Sequence, residues 1–228
     1  MELEEIRGNL ENLEDIIIVS FLGRAQYKAN NMIYSDNSGI QGFSGSFLDY
    51  MLKGTESLHS ALGRYDDYRE YPFFGNLPDS IMKRRFNNII DKIVNKNSKI
   101  KEEYVKSISA FCKVGDDNEY GDSAVWDILS LQNISKRVHF GAVIAENKLL
   151  QNPKLYEDLV LKSNFEGIKK SIRNGEVEEK ILKRVFSKAK NYKVNPGFVL
   201  EFYKNTIIPL TIDVETDYIT KRVMGKFT

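Results

Sequence analysis

Residues 137–148, RVHFGAVIAENK, lie in the middle of a long run with helical periodicity and decide the fold. Arg137 and Lys148 are eleven residues apart, close to three helical turns, so they share one face about 16 Å apart along the axis. Gly141 and Ala145 lie between them on that face and have almost no side-chain volume. Two long cations beside a shallow gap predict a cradle for a small ligand with two anionic ends. The alternative is that both cations lie on a solvated surface, as isolated Lys and Arg residues usually do.

The composition is that of an ordinary folded protein, with 42% hydrophobic and 29% charged residues. A length of 228 residues predicts a single domain over the whole chain. The net charge of +1 does not favour a nucleic-acid partner. Cys112 is the only cysteine, and neither His59 nor His139 has a second ligand at metal spacing. We therefore expect no metal and no cofactor, and no nucleophilic triad or phosphate-binding loop is present.

The first residues and the hydropathy pattern predict where the protein resides. The opening MELEEIRGNLENLED is acidic and amphipathic, unlike a secretory signal or a transit peptide. The longest apolar run, residues 16–23, is too short to span a bilayer, so we expect no membrane partner. The expected location is the cytoplasm.

Apolar residues recur at helical spacing along most of the chain, and no segment shows sustained two-residue alternation. This pattern predicts an all-α protein with a long central helix and no sheet. The predicted helices cover residues 2–27, from Ser44 or Ser46 to about Asp66, from Ser98 to about Cys112, from Asp122 or Ser123 to about Leu150, 153–162, 165–173, 175–192, and from Pro196 towards Lys221.

Three stretches depart from this regular pattern. Residues 28–45 are rich in Asn and Gly and predict a loop. Residues 81–97 are basic and rich in asparagine, and we interpret them as a short helix followed by a loop. Pro209 lies inside the last predicted helix, where it should interrupt and kink it.

Further polar residues share helix faces with possible partners. Asn174 and Glu178 are four residues apart, as are Thr211 and Glu215. Asn174 could instead cap its helix, and Glu178 could pair with a lysine. Arg7 lies at the edge of the apolar stripe of the first helix, where a buried charge needs a partner. An ion pair with a neighbouring helix would satisfy it.

Five stretches together resemble a known family. They are residues 6–18 (IRGNLENLEDIII), 45–67 (GSFLDYMLKGTESLHSALGRYDD), 127–148 (DILSLQNISKRVHFGAVIAENK), 165–182 (FEGIKKSIRNGEVEEKIL) and 207–222 (IIPLTIDVETDYITKR). In this order they resemble the all-helical chorismate mutases of fungi and plants. The resemblance implies an all-α bundle of about ten or more helices that forms a homodimer.

The same resemblance implies an active site. The arginines and the lysine of the family match Arg7, Arg137 and Lys148, and the remaining polar residues match Asn174, Glu178, Thr211 and Glu215. The implied reaction is the intramolecular rearrangement of chorismate to prephenate, which leads to phenylalanine and tyrosine. The arginines would bind the two carboxylates of chorismate, and Lys148 and a protonated Glu215 would hydrogen-bond its ether oxygen. Asn174 and Glu178 would contact the ring hydroxyl, and Thr211 would help to place the substrate.

Two other hypotheses remain open at this point. The chain could be a catalytically silent helical dimer of the same fold, acting as a binding or regulatory module. It could also be an unrelated helical adaptor, although that would leave the shared spacings unexplained.

The regulated family members bind tyrosine and tryptophan at their subunit interface. That site resembles the region of Gly63, Arg64, Gly121, Asp122 and Val125. The regulated fungal pattern has a second arginine where this chain has Gly63, and hydroxyl residues at the positions of Asp122 and Val125. We therefore expect weak or absent regulation by either amino acid.

Overall fold

The computed structural model describes residues 3–36, 39–85 and 90–225, and these residues fold almost entirely as helices. The α-helices in those ranges are α1 (Leu3–Arg24), α2 (Phe47–Ala61), α3 (Asn97–Phe111), α4 (Tyr120–Gln151), α5 (Pro153–Leu161), α6 (Phe165–Ile172), α7 (Gly175–Asn191), α8 (Pro196–Phe202) and α9 (Ile208–Met224). Two short 3-10 helices cover Asn31–Tyr34 and Arg64–Asp66. No strand occurs in the described ranges, where Lys28 and Lys113 form an isolated bridge. The predicted all-α fold is confirmed.

Helix α4 is the centre of the molecule and has 32 residues, about 48 Å of helix. It packs mainly on α9 and α1, and also contacts α2, α3 and α5. Leu131, Ile134 and Val138 are fully buried on it at the spacing of one helix face. Burial of each such side chain contributes about 1.5–3 kcal/mol. The long central helix is confirmed, and it begins at Tyr120, before the predicted start at Asp122 or Ser123.

Local signals set the start of several helices. Ser46 caps α2 in a reciprocal arrangement with Asp49, whose carboxylate accepts from the Ser46 backbone N–H. Asn174 caps α7, and Asn195 caps α8 directly before Pro196. The sequence correctly places these three starts because each cap and the backbone N–H groups that donate to it are neighbours in the chain.

The chain between α2 and α3 differs from the prediction. Helix α2 ends at Ala61, and the predicted short helix within residues 81–97 is absent from residues 81–85 and 90–96, while residues 86–89 lie outside the described part. Side chains from elsewhere satisfy this backbone instead. The Arg84 N–H donates to Asp66 Oδ2 at 2.9 Å, and the Lys96 N–H donates to His139 Nε2 at 2.9 Å. Ile90 and Val94 of this segment are buried in the core without forming a helix.

The last helical run changes its hydrogen-bond pattern before Pro209. Tyr203–Ile207 is π-helical and connects α8 to α9, and the Ile208 N–H donates to the Tyr203 carbonyl five residues earlier. Pro209 follows in the first turn of α9, where its missing N–H is tolerated. The predicted interruption of this helix therefore takes the form of a π-helical turn.

Candidate active site

Lys148 and Glu215 form an ion pair between α4 and α9. Lys148 Nζ lies 2.8 Å from Glu215 Oε2 and 2.6 Å from the carbonyl oxygen of Ile172, the last residue of α6. Residues from three helices therefore meet at one ammonium group. The lysine side chain is partly exposed, whereas the carboxyl group is buried.

Burial controls the protonation of Glu215. Removal from water raises the pKa of its carboxyl group, while Lys148 and Arg137 act in the opposite direction. The negative charge of Glu178 adds to the increase in the pKa. Glu215 thus lies in an environment that favours a neutral carboxyl group more than water does.

Arg137 is a buried cation without a complete set of partners. It is 3% exposed, and its Nε and Nη1 atoms have no hydrogen-bond acceptor in the described part of the chain. Burial lowers the pKa of this guanidinium, although Tyr203, Glu14 and Glu215 favour its charged form. Buried donors left unpaired are costly, so this side chain is suited to bind an anion.

The prediction of a gap between Arg137 and Lys148 is wrong at Gly141. A Cβ atom on Gly141 would lie 2.8 Å from the carbonyl oxygen of Thr211, so helix α9 already fills that space. The missing side chain allows α4 and α9 to approach closely. Thr211 is buried, and its hydroxyl donates to the Ile207 carbonyl at 2.7 Å. The small residue therefore serves helix packing and brings α9, with Glu215, against α4.

Asn174 and Glu178 lie at the start of α7, at the edge of this centre. The Asn174 side chain accepts from the Val177 N–H at 3.2 Å, which is the capping role considered above. Glu178 is paired with Arg173 rather than with a lysine, at 3.0 and 3.2 Å. Arg7 belongs to α1, and its side chain lies outside the described part of the structure.

Three further polar residues approach Arg137, and the sequence analysis missed them. Glu14 on α1 is fully buried and accepts from Arg184 on α7 at 2.6 and 2.7 Å. Tyr203 is fully buried, its hydroxyl has no hydrogen-bond partner among the described residues, and burial raises its pKa. Glu14 could have been found, because it follows Arg7 by two helical turns on the same face. Arg184 and Tyr203 carry no comparable signal.

The candidate effector residues are arranged differently from the active-site residues. Gly63 has a φ of +77°, and a Cβ there would lie 2.3 Å from the Met82 carbonyl oxygen, so this backbone excludes a side chain. Arg64 already contacts Glu70, Gln132 and His59. Other members of the set lie exposed in the first two turns of α4: Gly121, Asp122 and Val125.

The described residues lack two further features, a metal-binding cluster and a membrane-spanning helix. No group of three or more His, Cys, Asp or Glu side chains in them is arranged to hold a metal ion. None of the helices in the described ranges is long and apolar enough to cross a membrane.

Comparison with known proteins decides the family. A sequence model described as chorismate mutase type II matches residues 121–216. The chorismate mutase of Schizosaccharomyces pombe is 36% identical, and the match covers 98% of this chain and 97% of the relative. The chloroplastic chorismate mutase 3 of Arabidopsis thaliana is 33% identical over 98% of this chain and 78% of its own length. The chain belongs to the chorismate mutase family.

A solved structure of a chorismate mutase shares the whole architecture. The Candida albicans enzyme, in complex with L-Trp, superimposes with a TM-score of 0.93 at 37% identity, covering 98% of this chain and 92% of that chain. The matched family segment begins in α4 and ends in α9. It therefore includes Arg137, Lys148, Glu178 and Glu215, and excludes α1 with Arg7. The family resemblance inferred from the sequence is confirmed.

Proposed function

We propose that this protein is a chorismate mutase, an isomerase that converts chorismate to prephenate in aromatic amino acid biosynthesis. Membership of the family supports this activity, because the match to a chorismate mutase extends over nearly the full chain. The observation in the structure that carries the proposal is Arg137, a buried guanidinium with two unpaired donor atoms among the described residues. Such a group is stabilised when a carboxylate occupies its donors, and chorismate carries two carboxylates.

The reaction breaks an ether C–O bond and forms a C–C bond within one molecule, so no atom is transferred to the protein. The protein holds the substrate in its compact reactive conformer and stabilises charge on the ether oxygen. In the proposed site, Lys148 donates a hydrogen bond to this oxygen from its position between α6 and α9. Arg137 holds one carboxylate, and Arg7 holds the other.

Glu215 acts as the second donor to the ether oxygen in this mechanism. An ionised carboxylate there would repel the developing negative charge, whereas a protonated carboxyl group donates a hydrogen bond. Burial raises the pKa of Glu215, which supports the protonated form. Thr211, one turn earlier on α9, helps to place the substrate, and Asn174 and Glu178 contact its ring hydroxyl.

Assembly and location remain proposals. We expect a single domain in the cytoplasm and a homodimer formed through apolar helix faces. Exposed apolar side chains on α1 and α4, including Ile16, Val125 and Leu129, support such a contact. Light scattering would measure the oligomeric state, and cell fractionation would test the location.

Regulation by tyrosine or tryptophan is proposed to be weak or absent. The Candida albicans relative was crystallised with L-Trp, so the fold can accommodate such a ligand. In this chain Arg64 is occupied by Glu70 and Gln132, and Gly63 has no room for a side chain. An amino acid carboxylate would have to displace existing partners of Arg64.

Loss of chorismate absorbance on addition of purified protein tests the activity. Lys148→Ala should lower the rate about 10²–10³-fold, because it removes a donor aimed at developing charge. Lys162→Ala is the matched control, since that lysine lies in an exposed pair with Asp158. An inactive wild-type protein that still binds chorismate would identify a catalytically silent module instead.

A further inference from the structure

A cleft of about 620 Å³ lies outside the buried centre, between α6, α7 and the joint of α8 with α9. Its charged lining consists of four cations, Lys169, Lys170, Arg173 and Lys204, and three carboxylates. One of the carboxylates is Glu178. This residue therefore borders the cleft and, through its charge, also acts on Glu215 in the buried centre.

Arg173 contacts Glu178 in a bidentate manner. Its Nε lies 3.2 Å from Oε1 and its Nη2 lies 3.0 Å from Oε2, so each donor has its own carboxylate oxygen. Arg173 precedes the Asn174 cap, where the chain is extended between α6 and α7. Its side chain is 59% exposed, whereas that of Glu178 is 22% exposed. The arginine thus holds the less exposed carboxylate from its solvent side.

We infer that Arg173 is a positioning residue that fixes the orientation of Glu178 and balances its charge at the edge of the active site. This inference rests on the proposed function, in which Glu178 contacts the ring hydroxyl of chorismate. A carboxylate held at both oxygens keeps one rotamer, so it presents the same lone pairs to each incoming substrate.

The pKa of Glu215 provides a second way to measure this role of Arg173, because nearby charges influence it. Lys148 and Arg137 on α4 favour its ionised form, and Glu178 on α7 favours its protonated form. Loss of Arg173 leaves the charge of Glu178 unbalanced, so the pKa of Glu215 rises further. The alkaline limb of the rate profile then moves to higher pH, because the protonated form is the active one.

Arg173→Gln tests the inference in steady-state kinetics over a range of pH. We expect KM to rise about threefold with kcat nearly unchanged, since an exposed ion pair has a modest effect. The alkaline limb should move up by a few tenths of a pH unit. Arg173→Lys should restore part of both effects. Lys183→Gln is the matched control, because it removes a cation from α7 that pairs with Glu179 and not with Glu178.

A variant that lacks the Glu178 carboxylate distinguishes the positioning of Glu178 by Arg173 from a direct effect of the Arg173 charge. In Glu178→Gln protein, adding Arg173→Gln should change neither KM nor the pH profile. A shift that persists there would overturn the inference, as would an Arg173→Gln enzyme with wild-type KM and wild-type pH profile. Titration of the carboxyl groups followed by NMR measures the pKa of Glu215 and does not depend on enzyme activity. If the wild type were inactive, the proposed function would fail, and the titration would still test the effect of Arg173.

Discussion

Arg24 and Arg137 are both buried arginines of this bundle, and they differ in their partners. Arg24 is fully buried, and its guanidinium donates to Asp127, to the carbonyls of Lys28 and Ala29, and to Tyr34. Arg137 is 3% exposed, yet its Nε and Nη1 atoms contact no acceptor in the described residues.

The difference separates a structural charge from a functional one. The carboxylate of Asp127 also accepts from Tyr34 and Tyr104, so the Arg24 network is satisfied without a ligand. The donors of Arg137 are suited to an acceptor that the described residues do not provide. Equal burial therefore says little about function, whereas hydrogen-bond satisfaction distinguishes the two arginines.

The largest effect is expected from Arg24→Met. This change keeps most of the side-chain volume but leaves the Asp127 charge buried without its cation, which should lower the free energy of unfolding by about 3–5 kcal/mol. Denaturant unfolding measures the loss. Replacement of Asp127 by Leu in the same protein should recover part of it, and a loss below about 1 kcal/mol for Arg24→Met would contradict the structural role.

The same change at Arg137 should have the opposite profile. Among the described residues, no carboxylate loses a hydrogen-bond partner in Arg137→Met, so the free energy of unfolding should stay within about 1 kcal/mol of wild type or rise. Arg137→Met also removes the group proposed to bind a carboxylate of the substrate, which should lower kcat/KM about 10²–10³-fold. Parallel unfolding and rate measurements test both halves of this prediction. Near-normal rates in folded protein would show that Arg137 resembles Arg24 after all.

The pH dependence of the rate extends the comparison to Glu215, the carboxyl group whose charge acts on Arg137. The pKa of Glu215 is raised by burial, and the protonated form is proposed to be active. The rate should therefore be highest below this pKa and should fall as pH rises through it. Glu215→Gln keeps a neutral donor, so its rate should depend much less on pH. A flat wild-type profile on protein that stays folded would rule out this role.

The smallest effect is expected at Arg64, a third arginine whose guanidinium is already paired. Because Glu70, Gln132 and His59 contact it, millimolar-range tyrosine or tryptophan should shift the substrate-saturation curve little or not at all. The curve is measured with and without each amino acid. A clear shift by either one would show that an effector can displace these contacts.

Features that depend on neighbouring residues could be predicted from the sequence. The sequence predicts the helix starts at or near Ser46, Gly175 and Pro196 and the course of α4, because turn and periodicity signals are local. The residues proposed for the active site were reached through the family resemblance together with helical spacing. The structure brings Lys148 and Glu215 into contact, 67 residues apart in the chain.

Features that depend on distant contacts could not be predicted. The pairing of Arg24 with Asp127 spans 103 residues and has no local signal. Helical spacing predicts space for a ligand at Gly141, because spacing alone cannot show that α9 fills it. The sequence predicts a short helix in the segment before α3, whereas acceptors on Asp66 and His139 hold its described backbone in another form.

The π-helical turn at Tyr203–Ile207 determines the direction in which each later side chain of α9 points. Tyr203 approaches Arg137 from one side of this turn, and Thr211 and Glu215 follow on the other side. Each residue advances a helix by about 100°, so deletion of one residue here would restore α-helical pairing but rotate Glu215 away from Lys148. The meeting of these two side chains therefore depends on the residue count of a single helical turn.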